Sequence, residues 1–150
     1  MTSPRIAGLL ALALVAAFAA YVRFAPVDPE RWHVDLRKMA ATLAHVSPSA
    51  KFTGPNSVVR RLDGPADTLQ ELLTMLDLIA VSSDRTRRIA GSVKEGWVTW
   101  ETRSLIWGFP DYTTAQILDD QTLVLFGRSR FGGRDWGANA ARLEGWFLHL

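Results

Sequence analysis

Turn signals limit the fold of this chain more than any other feature. Thr86 to Ser92, Gly96 to Trp107, Asp111 to Leu118 and Thr122 to Arg130 each read as a strand, the long second run being rich in β-branched and aromatic residues. Gly108-Phe109-Pro110-Asp111 and Asp119-Asp120-Gln121 punctuate them. A parallel crossover needs a dozen or more residues, so connections this short demand antiparallel hairpins.

Ser57 to Leu62 reads as an earlier strand, ended by Asp63-Gly64-Pro65. A helix follows, because Leu69, Leu72, Leu73, Leu76, Ile79 and Ala80 recur at spacings of three and four. Asp67 is expected to cap it, with Gln70 completing a capping box. Glu71, Thr74 and Asp77 fall on the side expected to face water. A last helix opens at Asp135 or a neighbour. It carries Trp136, Ala140, Leu143, Phe147 and Leu150 on one face and Asn139, Arg142, Trp146 and His149 on the adjacent stripe. The expected class is α+β: an antiparallel β-sheet of four to five strands with two helices packed on one face, in the order β-α-β-β-β-β-α. Residues 57–150 form this globular domain. Residues 24–56, punctuated by Pro26, Pro29, Pro48 and Pro55, read as an extended tether with a short helix from Leu36 to His45.

Ile6 to Val22 carries no charge. As a helix it spans about 25 Å, near the thin limit of a hydrocarbon core. It is longer than the apolar centre of a signal peptide, and Tyr21 and Arg23 suit an interfacial collar. Residues 1–23 are therefore expected to be a retained transmembrane anchor or uncleaved signal. Ala17-Phe18-Ala19 supplies the alternative of cleavage. Arg23, Arg31, Arg37 and Lys38 follow the run, whereas only Arg5 and the terminal amine precede it, so positive-inside counting favours a cytoplasmic domain. An apolar segment ahead of one small domain is also the usual layout for export. The expectation adopted is a single-pass protein of the bacterial inner membrane with a periplasmic domain.

The chain of 150 residues suffices for one cored domain. It has no cysteine, which removes disulfides, thiolate metal sites and cysteine nucleophiles. With Arg5 and Arg23 set aside, the 17 basic residues become 15, balancing 15 acidic ones. That balance argues against a nucleic-acid partner. His33, His45 and His149 show no ligand spacing, so neither a metal nor any other cofactor is expected. Phe131 stands where a nucleophile elbow needs glycine. The glycines from Gly127 to Gly137 lack the lysine of a phosphate loop. No catalytic residue is assigned.

The segment from Arg128 to Arg142 is the densest in polar groups. Arg128 and Arg130 share a strand face. Asn139 and Arg142 are neighbours on a helix, with Asp135 one turn earlier. A turn at Gly132-Gly133 is expected to fold helix onto strand so that these five converge, with Arg103 as a further member. They form either a structural network or an anion pocket at a helix N-terminus. Trp100, Phe126 and Trp146 are the candidate walls of an apolar groove beside it.

Several stretches together resemble the bacterial family known as domain of unknown function 1499. They are Tyr21-Val22-Arg23-Phe24-Ala25-Pro26, Arg31-Trp32-His33-Val34-Asp35, Asp84-Arg85-Thr86-Arg87-Arg88, Thr102-Arg103-Ser104, Phe109-Pro110-Asp111 and the Arg128-to-Arg142 motif. The resemblance covers nearly the whole chain. It implies a small α+β domain behind an N-terminal membrane segment, and it brings no activity and no catalytic residues. The chain departs from it between Lys38 and Ser49, where a helical pattern replaces Pro/Gly-rich coil.

The functional expectation is a membrane-anchored, non-enzymatic binding or accessory domain for an acidic amphiphile, small anion or other envelope component. A module docking a membrane protein partner is the alternative. An enzyme is the second alternative, and it would need a titratable pair in a cleft, such as Asp111 with Arg103 or Asp135 with Arg130.

Overall fold

A computed structural model describes residues 4–39, 51–119 and 121–150. In chain order they form α1 (Pro4–Phe24), a short α2 (Pro29–Trp32), a 3-10 turn (Leu36–Met39), β1 (Lys51–Thr53) and β2 (Ser57–Asp63). Then come α3 (Ala66–Ser82), β3 (Thr86–Ser92), a second 3-10 turn (Val93–Glu95), β4 (Trp97–Arg103), β5 (Pro110–Leu118), β6 (Thr122–Ser129) and α4 (Ala138–Phe147). His45, Pro48 and Asp120 lie outside the described residues. So does most of the helix expected from Leu36 to His45, whose first residues form the 3-10 turn.

The strands make one sheet in the order β1-β2-β6-β5-β4-β3, and every neighbouring pair is antiparallel. The expected antiparallel hairpins are present, and the sheet gains one more strand than expected, the three-residue β1. Helices α3 and α4 both pack on one face. Leu73 and Leu76 of α3 and Leu143 and Trp146 of α4 meet Val98, Trp100 and Leu125 of the sheet in a single apolar cluster.

The other face is covered by the segment read as a tether. Trp32 stacks on Tyr112 at 4.1 Å between ring centroids, and His33 stacks on Trp97 at 3.8 Å. Leu36 is fully buried against Val59, Leu118 and Val124. Gln116 ties the segment down through its whole amide: Oε1 accepts from the Leu36 N–H at 2.6 Å, and Nε2 donates to Asp35 at 3.1 Å. With both faces covered, β5 is buried along almost its full length. Asp111, Thr114 and Gln116 persist there because they are paired; Thr114, for example, shares a hydrogen bond with Thr99 at 2.9 Å.

Several local expectations change; the last helix, for one, opens at Ala138 and leaves Trp136 outside it. Helix α3 starts behind Pro65, whose side chain makes no cap, so Asp67 sits in the first turn rather than at the N-cap. There it still suits the positive end of the helix dipole. Gln70 donates to the Val93 carbonyl at 2.6 Å instead of closing a capping box. Asp77 turns inward, because the buried Trp100 indole N–H needs an acceptor and finds one at 2.9 Å. Arg88 then binds the same carboxylate, with Nε at 3.1 Å. Strand β4 ends at Arg103 rather than Trp107, because Ser104 closes the loop onto Phe109 through paired 3.0 Å hydrogen bonds. Gly108 supplies the left-handed turn with φ 70°.

Asp77 is the polar centre of the helix-side core, and its removal is expected to be costly. Asp77→Ala strands the Trp100 N–H and part of Arg88, and should lower stability by about 3 kcal/mol. Met75→Ala, on the exposed side of the same helix, should cost roughly 0.5 kcal/mol or less. Urea denaturation of the detergent-solubilised chain checks the contrast.

Candidate functional site

The expected cluster divides across the sheet. Alternation along β6 puts Arg128 on the face covered by residues 25–39. The chain then turns through Gly132 and Gly137, both at positive φ, and delivers Asp135, Asn139 and Arg142 to the helix face.

On the helix face the groups close on one another. Asp135 accepts from the backbone N–H of Gly137 at 3.0 Å and of Asn139 at 3.2 Å, and from the Asn139 amide at 2.8 Å. The same amide donates to Ser129 at 3.0 Å. Arg142 donates to Asn139 Oδ1 at 2.8 Å and to Asp111 at 2.7 Å. Asn139 is 1 % exposed and Asp111 8 %. Gly127 makes room for Asn139, since a Cβ there would stand 3.4 Å from the Asn139 side chain and 3.0 Å from Val58. These bonds form a network in which Arg142 joins helix to sheet. Burial alone would raise the Asp135 carboxyl pKa, but the Asn139 and Gly137 donors outweigh burial and hold it below its ordinary value.

On the other face three arginines hold backbone carbonyls. Arg103 donates to the carbonyls of Arg23 at 2.9 Å, of Val22 and Gly108 at 3.3 Å and of Ala25 at 3.4 Å. Val22 and Arg23 lie in the last turn of α1, so Arg103 caps the carboxyl end of that helix, where a cation is favoured. It also pairs with the buried Glu101 at 2.7 Å, which Arg87 grips from the other oxygen at 2.8 Å. Arg130 donates to the Pro26 carbonyl at 2.8 Å. Arg128 donates to the Trp32 carbonyl and lies over the Phe126 ring at 4.8 Å. Burial pushes its pKa down to about 10, with Tyr112 opposing the shift.

Neither titratable pair expected of an enzyme forms: Asp111 pairs with Arg142 rather than Arg103, and Asp135 with Asn139 rather than Arg130. The apolar groove also divides. Trp100 and Trp146 meet edge to face at 5.7 Å inside the helix-side core, and Phe126 lies on the opposite face beneath Arg128. Within-strand alternation was read correctly on each strand; the relative phase of β4 and β6 depends on register, which only the pairing reveals.

A cavity of about 420 Å³ lies where α1 meets the domain, lined by Phe18, Phe109, Phe131, Arg134 and Trp136 and reached by Asp111 and Asp135. Phe109 packs against Phe18 of α1 at 6.3 Å and against Phe131 at 6.1 Å, and Phe131 meets Tyr21 of α1 edge-on at 6.1 Å. Arg134 is exposed and makes no ion pair among the described residues. Sequence reasoning passed over it because it falls on neither the strand face nor the helix stripe. A larger cavity of about 590 Å³ between α3 and α4, lined by Leu78, Ile79, Ser83 and Trp146 among others, offers less chemistry. Its Ser83 hydroxyl already accepts from Trp146 and donates to Ile79.

The lowered Asp135 pKa fixes the sign of a pH effect. Its stabilisation is complete above the ordinary carboxylate range and is lost as pH falls through the lower native value. Asp135→Asn should therefore destabilise the chain at neutral pH, and the gap between variant and parent should close in strong acid. Urea midpoints measured across pH test this, and a gap of constant size refutes it.

The family model described as Protein of unknown function (DUF1499) matches residues 28–150. No curated protein matches the chain. The matched span runs from the cap of α2 through the whole sheet to the end of α4, and so contains both halves of the arginine motif; the chain belongs to the DUF1499 family.

Proposed function

We propose that this protein is a membrane-anchored, non-enzymatic binding domain for an anionic amphiphile, seated in the cavity between α1 and the turn at residues 131–136. In this reading α1 crosses the bacterial inner membrane once and the domain stands on its periplasmic side. One observation carries the proposal: an aromatic cavity has one wall on a helix long and apolar enough to cross a membrane, and among its lining residues a guanidinium that makes no ion pair with any described residue. Phe18, Phe109 and Phe131 would take the first part of an acyl chain. Arg134 would take the acidic head, as a planar fork suited to phosphate or carboxylate. The two acids nearby do not oppose this strongly, because Asp111 is neutralised by Arg142 and Asp135 is held by three donors.

Arg103, Arg128, Arg130 and Arg142 are excluded as the gripping residues in this reading, since each is engaged within the protein. Releasing Arg103 or Arg142 would leave the buried carboxylate of Glu101 or Asp111 without that partner.

The full chain is required for the test, because Phe18 forms one wall. Purified in mild detergent, it should carry anionic lipid detectable by mass spectrometry. Arg134→Glu should reduce occupancy about tenfold, the loss expected for one charge-assisted contact of roughly 1.5 kcal/mol. Absence of bound lipid, together with no thermal shift against a panel of anionic lipids, would refute the proposal.

A further inference from the structure

Leu105, Ile106 and Trp107 form the tip of the loop between β4 and β5, and they are 71, 79 and 46 % exposed. Trp136 is 89 % exposed and Phe24 80 %. Large apolar groups are seldom left in water in such a concentration. All of them lie at one end of the sheet. Arg103 pairs with Pro110 and Asp111 with Ser129, so the β4–β5 loop and the chain leaving β6 emerge from the same edge. That edge is where α1 joins the domain.

The overlap between loop and helix sets their depth. Phe109 touches α1 at Phe18, not at the end of the helix. Phe18 precedes Phe24 by six residues, or about 9 Å of helix rise. The 21 residues of α1 measure about 31 Å, which is roughly the full thickness of a hydrocarbon core. Its uncharged run Ile6–Val22, about 25 Å long, lies near the thin limit of that core, so a bilayer uses all of the run and encloses what lies beside Phe18.

Trp136 adds an independent sign. It holds φ 54°, a left-handed conformation that a bulky side chain adopts only under constraint. The constraint is visible: Asp135, immediately before the outward-pointing indole, accepts from the N–H groups of Gly137 and Asn139 after it. The backbone is thus held in an unfavourable state that keeps an indole exposed. Arg23 and Arg134 are exposed beside this surface, and neither makes an ion pair among the described residues. Indole rings beside free guanidinium groups match the composition of a membrane–water boundary.

We infer that the β4–β5 loop tip and Trp136 are a lipid-inserting rim: they enter the same leaflet that receives the carboxyl end of α1, so the domain lies down on the bilayer instead of standing off it. This inference rests on the anchoring part of the proposed function and is independent of whether the cavity holds a ligand. The occupant is the lipid of that leaflet, chosen by continuity with α1 and by the paired aromatic and cationic character of the rim.

The chain contains no cysteine, so single-cysteine variants can be spin-labelled without background. Leu105→Cys, Ile106→Cys and Trp136→Cys report the rim, Leu12→Cys the middle of α1, and Lys94→Cys the opposite end of the sheet. The labelled full chains are reconstituted in vesicles of phosphatidylethanolamine with phosphatidylglycerol. Collision with oxygen is then compared with collision with a water-soluble nickel chelate. The rim labels should favour oxygen several-fold over the Lys94 label, approaching the Leu12 label. A lipid-buried Leu12 label with rim labels matching Lys94 overturns the inference and leaves the anchor standing. A water-exposed Leu12 label overturns the anchor, and the inference with it.

Discussion

A peptide segment that crosses the face of a sheet cannot satisfy its carbonyls by strand pairing, and a buried carbonyl without a donor is costly. Residues 22–32 face this problem most sharply at the buried Val22 and Ala25, as they run from α1 over β4, β5 and β6. Arg103, Arg128 and Arg130 solve it by supplying guanidinium N–H groups to the carbonyls of Val22, Arg23, Ala25, Pro26 and Trp32. Arginine suits this task because it offers five donors in a plane and accepts nothing. The second layer of the fold depends on these bonds. They act together with the ring stacks of Trp32 and His33 and the burial of Leu36, which keep Tyr112, Thr114 and Gln116 of β5 from water.

The helix-side network does a different job with similar residues. Asp135, Asn139 and Arg142 join the start of α4 to Ser129 and Asp111 on the sheet. Gly127 allows the close approach that this requires. One short motif thus holds two layers: its strand arginines fasten the N-terminal segment on one side, and its helix residues fasten α4 on the other. This explains why so much polarity is packed into so few residues.

The sheet and the two packed helices were legible in the sequence because they rest on local signals. Turn residues dictated the hairpins, and the leucine spacing dictated α3. The second face was not legible. Pro26 and Pro29 correctly signal a chain without regular structure, but nothing local says whether such a chain floats or adheres. The answer lies in donors about 80 to 100 residues away in sequence, as with Arg103 to Arg23 and Arg130 to Pro26. Asp77 misled for a related reason. Its place on the helix suggests solvent, and only the distant Trp100 indole draws it inward. The candidate site followed the same pattern. Arg128, Asn139 and Arg142 were recognisable as a group too polar to be idle, yet the face that each occupies depends on a turn and a register that residue spacing does not encode.

The cap that Arg103 places on α1 has a mechanical consequence. Val22 is fully buried and Ala25 nearly so, and the helix passes into the sheet-bound segment with its terminal carbonyls already held. These bonds oppose a swivel at the junction. Helix and sheet turn as one body, like a key and its shaft, so a change in the tilt of α1 must reappear as a change in the pitch of the whole sheet.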